Sequence, residues 1–330
     1  MSDLTISTAR IYLADHFQIP EESIAIEELK GGVSSLVFRA SIAGMPDLVL
    51  KQSLAKLRVR EDWYSDQSRI FREMDALELL APLVPKDSLP KLLFTDRPNF
   101  ILAMSAAERE AVNWKQQLLL GEADTALAIQ AAEIQAAFFH AEGLKPHFEG
   151  LELFDQLRLD PYYRHTARRH PDLKDFFEKA IEQSLTQLRA LTHGDWSPKN
   201  FLIQPGQRLF SIDYEVMHWG DPGFDTAFLL NHFLLKGWHR ARSRANYAAL
   251  AIAYWQRLSE LLPKDASWLE ASTLRHLGCL HLARVDGKSP AEYLSPIEQA
   301  NVRRFARDLI QNPPGKIREV FEMQAEAFHE

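Results

Sequence analysis

The stretch LTHGDWSPKNFLIQPGQRLFSIDYEVMHWGDPGFDT, Leu191 to Thr226, decides the reading of the whole chain. It sets His193, Asp195 and Asn200 in the pattern H-x-D-x-x-x-x-N, and Asp213 follows thirteen residues after Asn200 in Ser-Ile-Asp-Tyr-Glu. Phe201-Leu202-Ile203 and Leu209-Phe210-Ser211-Ile212 read as two short strands around the turn Gln204-Pro205-Gly206-Gln207. Such a hairpin carries Asn200 at one end and Asp213 at the other. Phosphoryl transfer needs a carboxylate near an acceptor hydroxyl and oxygen ligands for Mg²⁺. Asp195, Asn200 and Asp213 supply both kinds of group within one short hairpin.

Upstream, the pattern is mostly that of strands. Residues 4–17 read as a helix and residues 24–29 as a strand. Lys30-Gly31-Gly32-Val33-Ser34-Ser35 follows as a turn of small residues. Leu36–Ala40 and Asp47–Lys51 are further strands around Gly44-Met45-Pro46. Between 65 and 80 the period turns helical, with Ile70, Met74, Leu77 and Leu80 on one face, and Pro82, Pro85 and Pro90 end the run. Residues 91–95 and 99–104 are two more strands. The first 104 residues therefore read as a five-stranded antiparallel sheet with one inserted helix.

Past Met104 the chain becomes helix-rich, with helical patterns at 122–141, 173–190, 225–236, 243–262, 268–284 and 296–328. In this part only the two strands of the Asn200–Asp213 hairpin read as β. The expected architecture is α+β and bilobal: residues 1–104 as a small sheet lobe and 105–330 as a large, mainly helical lobe. The 330 residues are 46% hydrophobic and 25% charged, an ordinary globular balance, and the net charge of -7 speaks against a nucleic-acid partner. One cysteine, Cys279, excludes an intrachain disulfide and suits a reducing, cytoplasmic setting. The first residues lack a signal-peptide pattern, and no apolar run reaches the roughly 18–20 residues of a membrane span.

Three motifs in this order carry a family resemblance: His193-Gly194-Asp195-Trp196-Ser197-Pro198-Lys199-Asn200, then Ile212-Asp213-Tyr214-Glu215, then Gly220-Asp221-Pro222-Gly223-Phe224-Asp225. The chain resembles the aminoglycoside phosphotransferase and choline kinase-like family, which shares the protein-kinase fold. That resemblance implies an ATP- and Mg²⁺-dependent kinase acting on a hydroxyl of a small polar molecule, with ATP between the lobes as an N-lobe clamp holds it. Asp195 would be the catalytic base or the group that orients the acceptor hydroxyl. Asn200 and Asp213 would bind Mg²⁺, with Glu215 as a further candidate.

The resemblance also implies roles upstream. Lys51 would neutralise ATP phosphate oxygens, and Glu73 would pair with it, with Asp66 and Glu78 as alternatives. Gly31, Gly32, Ser34 and Ser35 would cover the phosphates through close backbone approach and hydroxyl or N–H donors. Met104 to Ala107, with Met104 and Ala106 foremost, would be the hinge whose backbone reads adenine. His193 reads as a hydrogen-bond post for the loop, and Asp225 as a helix N-cap that also braces it.

Other signals carry less. Gly287-Lys288-Ser289 lacks the earlier glycine of a P-loop, since position 282 is Leu282. His276, Cys279 and His281 have the wrong spacing for zinc. The basic run Lys236–Arg244 reads as a solvated face, with an anionic acceptor as the minority reading. Trp196, Trp219 and Trp238 read as core residues that would otherwise line the acceptor pocket. A protein kinase would need a long activation segment between Asp213 and the next helix, and only eleven residues separate Asp213 from Asp225. A catalytically inactive ATP-binding scaffold is the remaining rival. The reading is a small-molecule phosphotransferase whose partner is its acceptor, with neither nucleic acid nor membrane.

Overall fold

The computed structural model describes residues 3–29, 34–56, 58 and 64–327, and it divides into two compact units. The first unit draws on residues 1–82, 89–109 and 212–215. Its first helix, α1 (Ile6–Phe17), starts on a capping box in which Thr5 and Thr8 satisfy each other's amides. It stops at Gln18, which adopts a left-handed conformation. Strands β1 (Ile24–Glu28), β2 (Ser35–Ile42) and β3 (Leu48–Ser53) follow, then α2 (Arg69–Leu80), β4 (Leu92–Asp96) and β5 (Ile101–Ser105). They form one antiparallel sheet in the order β1-β2-β3-β5-β4.

The period of two along the strands decides which side chains meet. Leu36, Phe38, Ala40 and Ile42 of β2, with Leu48 and Leu50 of β3, pack on Leu4, Ala9 and Leu13 at one face of the sheet. Lys51 falls on the opposite face, between Val37 and Leu102 in register. Every residue of β3 is buried, so this central strand is covered on both sides. The amphipathic α2 turns Ile70, Glu73, Met74 and Leu77 inward.

The second unit contains β6 (Val112–Asn113), α3 (Trp114–Leu120), α4 (Thr125–Phe139), α5 (Glu152–Phe154), a π-helix (Asp155–Arg164), α6 (His165–Arg169) and α7 (Lys174–Thr186). Then come β7 (Ala190–Thr192), β8 (Phe201–Gln204), β9 (Arg208–Ser211) and β10 (His218–Gly220). Helices α8 (Pro222–His239), α9 (Arg244–Leu261), α10 (Leu269–Asp286), α11 (Pro296–Gln311) and α12 (Ile317–Glu326) complete it. Helix α8 is buried from Pro222 to Trp238 and packs among α9, α10 and α11. No helix among the described residues is long and apolar enough to cross a membrane.

Three expectations are corrected here. The Asn200–Asp213 hairpin is not the only β structure of the helical part: β7 pairs with β10, and β6 adds to β8. The helical run at 296–328 is two helices, because Pro313-Pro314-Gly315 interrupts it. Asp225 is not an N-cap. The cap of α8 is Asp221, whose side chain accepts from the Gly223 N–H, and Pro222 takes the first helical position where its missing N–H costs nothing.

Candidate active site

In the first unit the site is built on β3 and α2. The Lys51 ammonium lies 2.6 Å from Glu73 Oε2, 2.7 Å from Asp213 Oδ1 and 3.9 Å from Glu215 Oε2. Burial opposes charge on Lys51, but Asp213, Glu73 and Glu215 outweigh it and hold the ammonium protonated far above its usual range. Burial pushes Glu73 up to about 7 against the pull of Lys51. Asp213 itself has φ of 71°, a left-handed conformation that costs a non-glycine residue energy, though Asp tolerates it better than most. A strained carboxylate beside a buried cation is a feature of functional sites.

One residue of this cluster escaped the sequence reading. Arg69 is fully buried, one helical turn before Glu73 on α2. Its guanidinium donates to the carbonyls of Leu54, Asp66 and Ser34, and its Nε lies 3.4 Å from Glu215 Oε2. Arg69 thus ties the end of β3 to the residue that enters β2. The one sequence signal was its position four residues before Glu73, on the same helical face.

The carboxylates also fit a divalent cation. Glu73, Asp213 and Glu215 each offer an oxygen, and these atoms all lie within 4.8 Å of one another. Glu73 Oε1 and Glu215 Oε2 are buried without a hydrogen bond. Three carboxylates face the two cations Lys51 and Arg69, which leaves an excess negative charge for a hard cation to neutralise. Of the other N-lobe candidates, Gly31 and Gly32 lie outside the described residues. Ser34 spends its carbonyl on Arg69 and Leu54 N–H, and the Ser35 hydroxyl is buried without a partner. Met104 is within β5, and the Ala106 N–H is spent on the Asp47 carbonyl at 3.1 Å.

In the second unit the loop after β7 carries Asp195. Both oxygens of Asp225 accept backbone amides, His193 N–H at 2.5 Å and Gly194 N–H at 2.9 Å. Burial raises Asp225 to about 8 in opposition to those two bonds. The Asp195 N–H donates to His193 Nδ1 at 3.3 Å, and the Asp195 carbonyl accepts from Ser197 N–H and from the Asn200 amide. Asn200 thus uses its NH₂ on the loop, which leaves its amide oxygen as the group to offer a cation. Trp196 packs on Phe138 and Phe201 and is core rather than pocket lining.

The Asp195 carboxylate meets Arg158 at 2.9 Å and Lys199 at 2.8 Å. Burial would raise its pKa, but Arg158, Lys199 and His193 hold it well below the usual carboxylate range. Arg158 also donates through Nε to the Gly194 carbonyl at 2.6 Å. It sits on the π-helix, a distortion that recurs at functional sites and here includes Pro161, which has no N–H to give. Sequence periodicity offered no sign of this element. Of the basic run Lys236–Arg244, Lys236 is wholly buried rather than solvated, and Arg240 donates to the Leu119 carbonyl.

Comparisons with known proteins bear on the fold and the family. A search of curated proteins returns no match by sequence. The solved structure of amicoumacin kinase hAmiN with AMP-PNP, Ca²⁺ and Ami is similar at 17% identity and TM-score 0.58, over 96% of this chain and 98% of that one. Choline kinase LicA from Streptococcus pneumoniae is similar at 14% identity and TM-score 0.54, over 92% and 98%. A thermostable aminoglycoside phosphotransferase APH(4)-Ia with ADP and hygromycin B is similar at 15% identity and TM-score 0.52, over 94% and 100%. These likenesses establish the bilobal, kinase-like fold. The sequence pattern of the phosphotransferase enzyme family matches residues 25–261, across both motif-bearing units, and the chain belongs to that family of small-molecule phosphotransferases.

Proposed function

We propose that the chain transfers the γ-phosphate of ATP to a hydroxyl group of a small polar molecule. The observation that carries this reading is the buried cluster in which Lys51 meets Glu73 and Asp213. A cation held by two carboxylates on the central strand of the sheet is a rigid partner for ATP phosphates. Two of the similar structures hold a nucleotide beside a second small molecule, AMP-PNP with Ami in one and ADP with hygromycin B in the other.

From the first unit, Lys51 neutralises phosphate oxygens of ATP, and Asp213 with Glu215 offers carboxylates to Mg²⁺. Bound Mg²⁺ would offset charge on the phosphates. From the second unit, Asn200 offers an amide oxygen to such a cation, and Asp195 takes a hydrogen bond from the acceptor hydroxyl. A carboxylate held this far into the acid range by Arg158 and Lys199 is a weak base. Its main work is to align the hydroxyl, and it accepts the proton only as the new P–O bond is nearly formed. Arg158 fixes the carboxylate's orientation from one side, and the exposed Lys199 adds a weaker, solvent-screened hold.

The test is Mg·ATP turnover over a panel of amino alcohols, hydroxy acids, sugars and aminoglycosides. Asp195→Asn should lower kcat by roughly 10²–10⁴ with little change in the KM for ATP. Tight ATP binding with no turnover of any acceptor would replace this reading with that of an inactive nucleotide-binding scaffold.

A further inference from the structure

The inside of the second unit holds cations that the phosphotransfer step does not use. Arg284 of α10 is only 7% exposed. Its NH1 donates to the Ser289 carbonyl and hydroxyl and approaches Tyr162 Oη at 3.4 Å, while its Nε is buried without a partner. Lys236 of α8 is fully buried, 3.4 Å from the His232 carbonyl and over the Tyr293 ring at 5.7 Å. His232 is 5% exposed, and its Nδ1 has no hydrogen-bond partner. Among the described residues, no carboxylate lies within ion-pair distance of Arg284 or Lys236. The nearby Glu292 is taken by Lys115 at 2.5 Å.

These groups adjoin Asp195. Tyr162 stands one turn after Arg158 on the π-helix, and Arg158 holds Asp195. Tyr162 meets Arg284 through its hydroxyl and Phe228 through its ring, and His232 packs on the same Phe228. A wall therefore runs from Asp195 through Arg158 and Tyr162 to Arg284, His232 and Lys236. Lys115 and Arg284 join burial in pushing Lys236 down to about 7. Arg284 and Arg158 lower Tyr162 as well, against its burial. Among the described residues, Glu292 is the one carboxylate acting on Lys236 and Arg284, and it is already paired with Lys115; burying that many cations around one carboxylate is costly, and a bound anion relieves the cost.

We infer that the acceptor is a small anion, a hydroxyl compound bearing a carboxylate or a phosphate monoester. Its anionic group sits against Arg284, His232 and Lys236 while its hydroxyl is presented to Asp195. The planar fork of Arg284, with Nε still unspent, matches the two oxygens of either group. A polycationic aminoglycoside or a quaternary amine would meet like charge instead. This inference rests on the phosphotransferase reading for the role of Asp195, but the anion site stands on its own contacts.

The experiment is calorimetric titration of the full chain, without nucleotide, using glycerate, glycerol 3-phosphate and glycerol, which share a three-carbon frame, with choline as a cationic alcohol and inorganic phosphate alone. The two anionic compounds should bind roughly tenfold or more tighter than glycerol and choline. Arg284→Met and Lys236→Met should each weaken the anions roughly tenfold and leave ATP affinity unchanged. If Arg284→Met fails to fold, Lys236→Met and Arg284→Lys carry the comparison. The ratio of glycerate to glycerol 3-phosphate and phosphate distinguishes a carboxylate site from a phosphate site. Equal or tighter binding of glycerol or choline would overturn the inference, as would absence of binding by every anion or unchanged affinity in the folded variants. Anion binding without ATP-dependent phosphorylation of any acceptor would instead sink the kinase reading and leave the anion site standing.

Discussion

Lys51 and Asp213 are 162 residues apart in the chain, yet the ammonium of one lies 2.7 Å from the carboxylate of the other. Each residue explains the other's environment. Without Lys51, the buried Glu73 would face Asp213 and Glu215 with Arg69 as the nearest remaining cation. Lys51→Met should therefore cost both function and stability. We expect kcat/KM for ATP to fall by roughly 10²–10³, the scale for losing one positioned charge-stabilising group. We expect unfolding free energy to fall by about 3–5 kcal/mol, the scale for breaking a buried pair. Steady-state kinetics and urea unfolding measure the two, and wild-type kinetics in the variant would remove Lys51 from the site.

The carboxylate cluster also predicts how a divalent cation acts on the folded protein. Mg²⁺ or Ca²⁺ should raise the unfolding midpoint in the absence of nucleotide, because a cation bound only by the folded state stabilises it by mass action. Asp213→Asn removes one charged oxygen at the exposed edge of the cluster and should abolish most of that shift. Thermal unfolding across a cation titration reads it directly, and an undiminished shift in the variant would place the cation elsewhere.

The Asp195 loop makes a geometric prediction. Gly194 has φ of 76°, and a Cβ there would come within 2.9 Å of Val216 Cγ1 and 3.0 Å of the Val216 carbonyl. Gly194→Ala pays twice, about 1–2 kcal/mol for the left-handed backbone and about 1–3 kcal/mol for the crowding. It should also lower kcat, since the displaced amide is one of the two that Asp225 holds. Adding Val216→Ala should restore part of the stability, because it clears the side chain but neither the carbonyl nor the dihedral. Equal stability of Gly194→Ala and wild type would mean the loop relaxes freely.

Much of this architecture was readable before the structure. The period of two fits β1 and β2 and the period near 3.6 fits α2, because those elements bury mainly one face, whereas β3 is buried on both. Asp195, Asn200 and Asp213 stood out because a short motif fixes them locally. The remaining site residues were hidden for physical reasons. Arg158 and Tyr162 lie on a π-helix that follows no simple period. Lys236 stands in a basic run whose minority reading is an anionic acceptor, but α8 and α10 are buried on nearly every side, so no polar stripe marks that Lys236 and Arg284 face inward. Arg69 looked like an ordinary helix cation, and only the fold brings its guanidinium to the carbonyls of Ser34 and Leu54.

His281 gives the second unit a signature in acid. It is buried between Trp238, whose indole N–H donates to Nε2 at 3.1 Å, and Asn231, whose Oδ1 lies 2.7 Å from Nδ1. An indole nitrogen only donates, so Nε2 must be bare and Nδ1 must carry the proton. Burial lowers the pKa to about 3, and protonation would also break the Trp238 bond. The folded pKa is depressed below the unfolded value of 6.5, so the unfolded chain binds more protons between those values. The contribution of His281 is complete above pH 6.5 and is lost as pH falls towards 3, at about 1.4 kcal/mol per pH unit inside that window. Glu73 and Asp225, whose folded values are raised, change stability in the opposite direction over part of the same range, so the absolute curve mixes signs. The difference between variants isolates the histidine. His281→Gln can accept from Trp238 and donate to Asn231 but cannot take up a proton. Its unfolding free energy, measured by denaturant titration from pH 7.5 to 4.5, should lose about one proton's worth of slope relative to wild type below pH 6.5. Parallel curves for the two proteins would show that His281 takes up its proton at the same pH in the folded and unfolded chain.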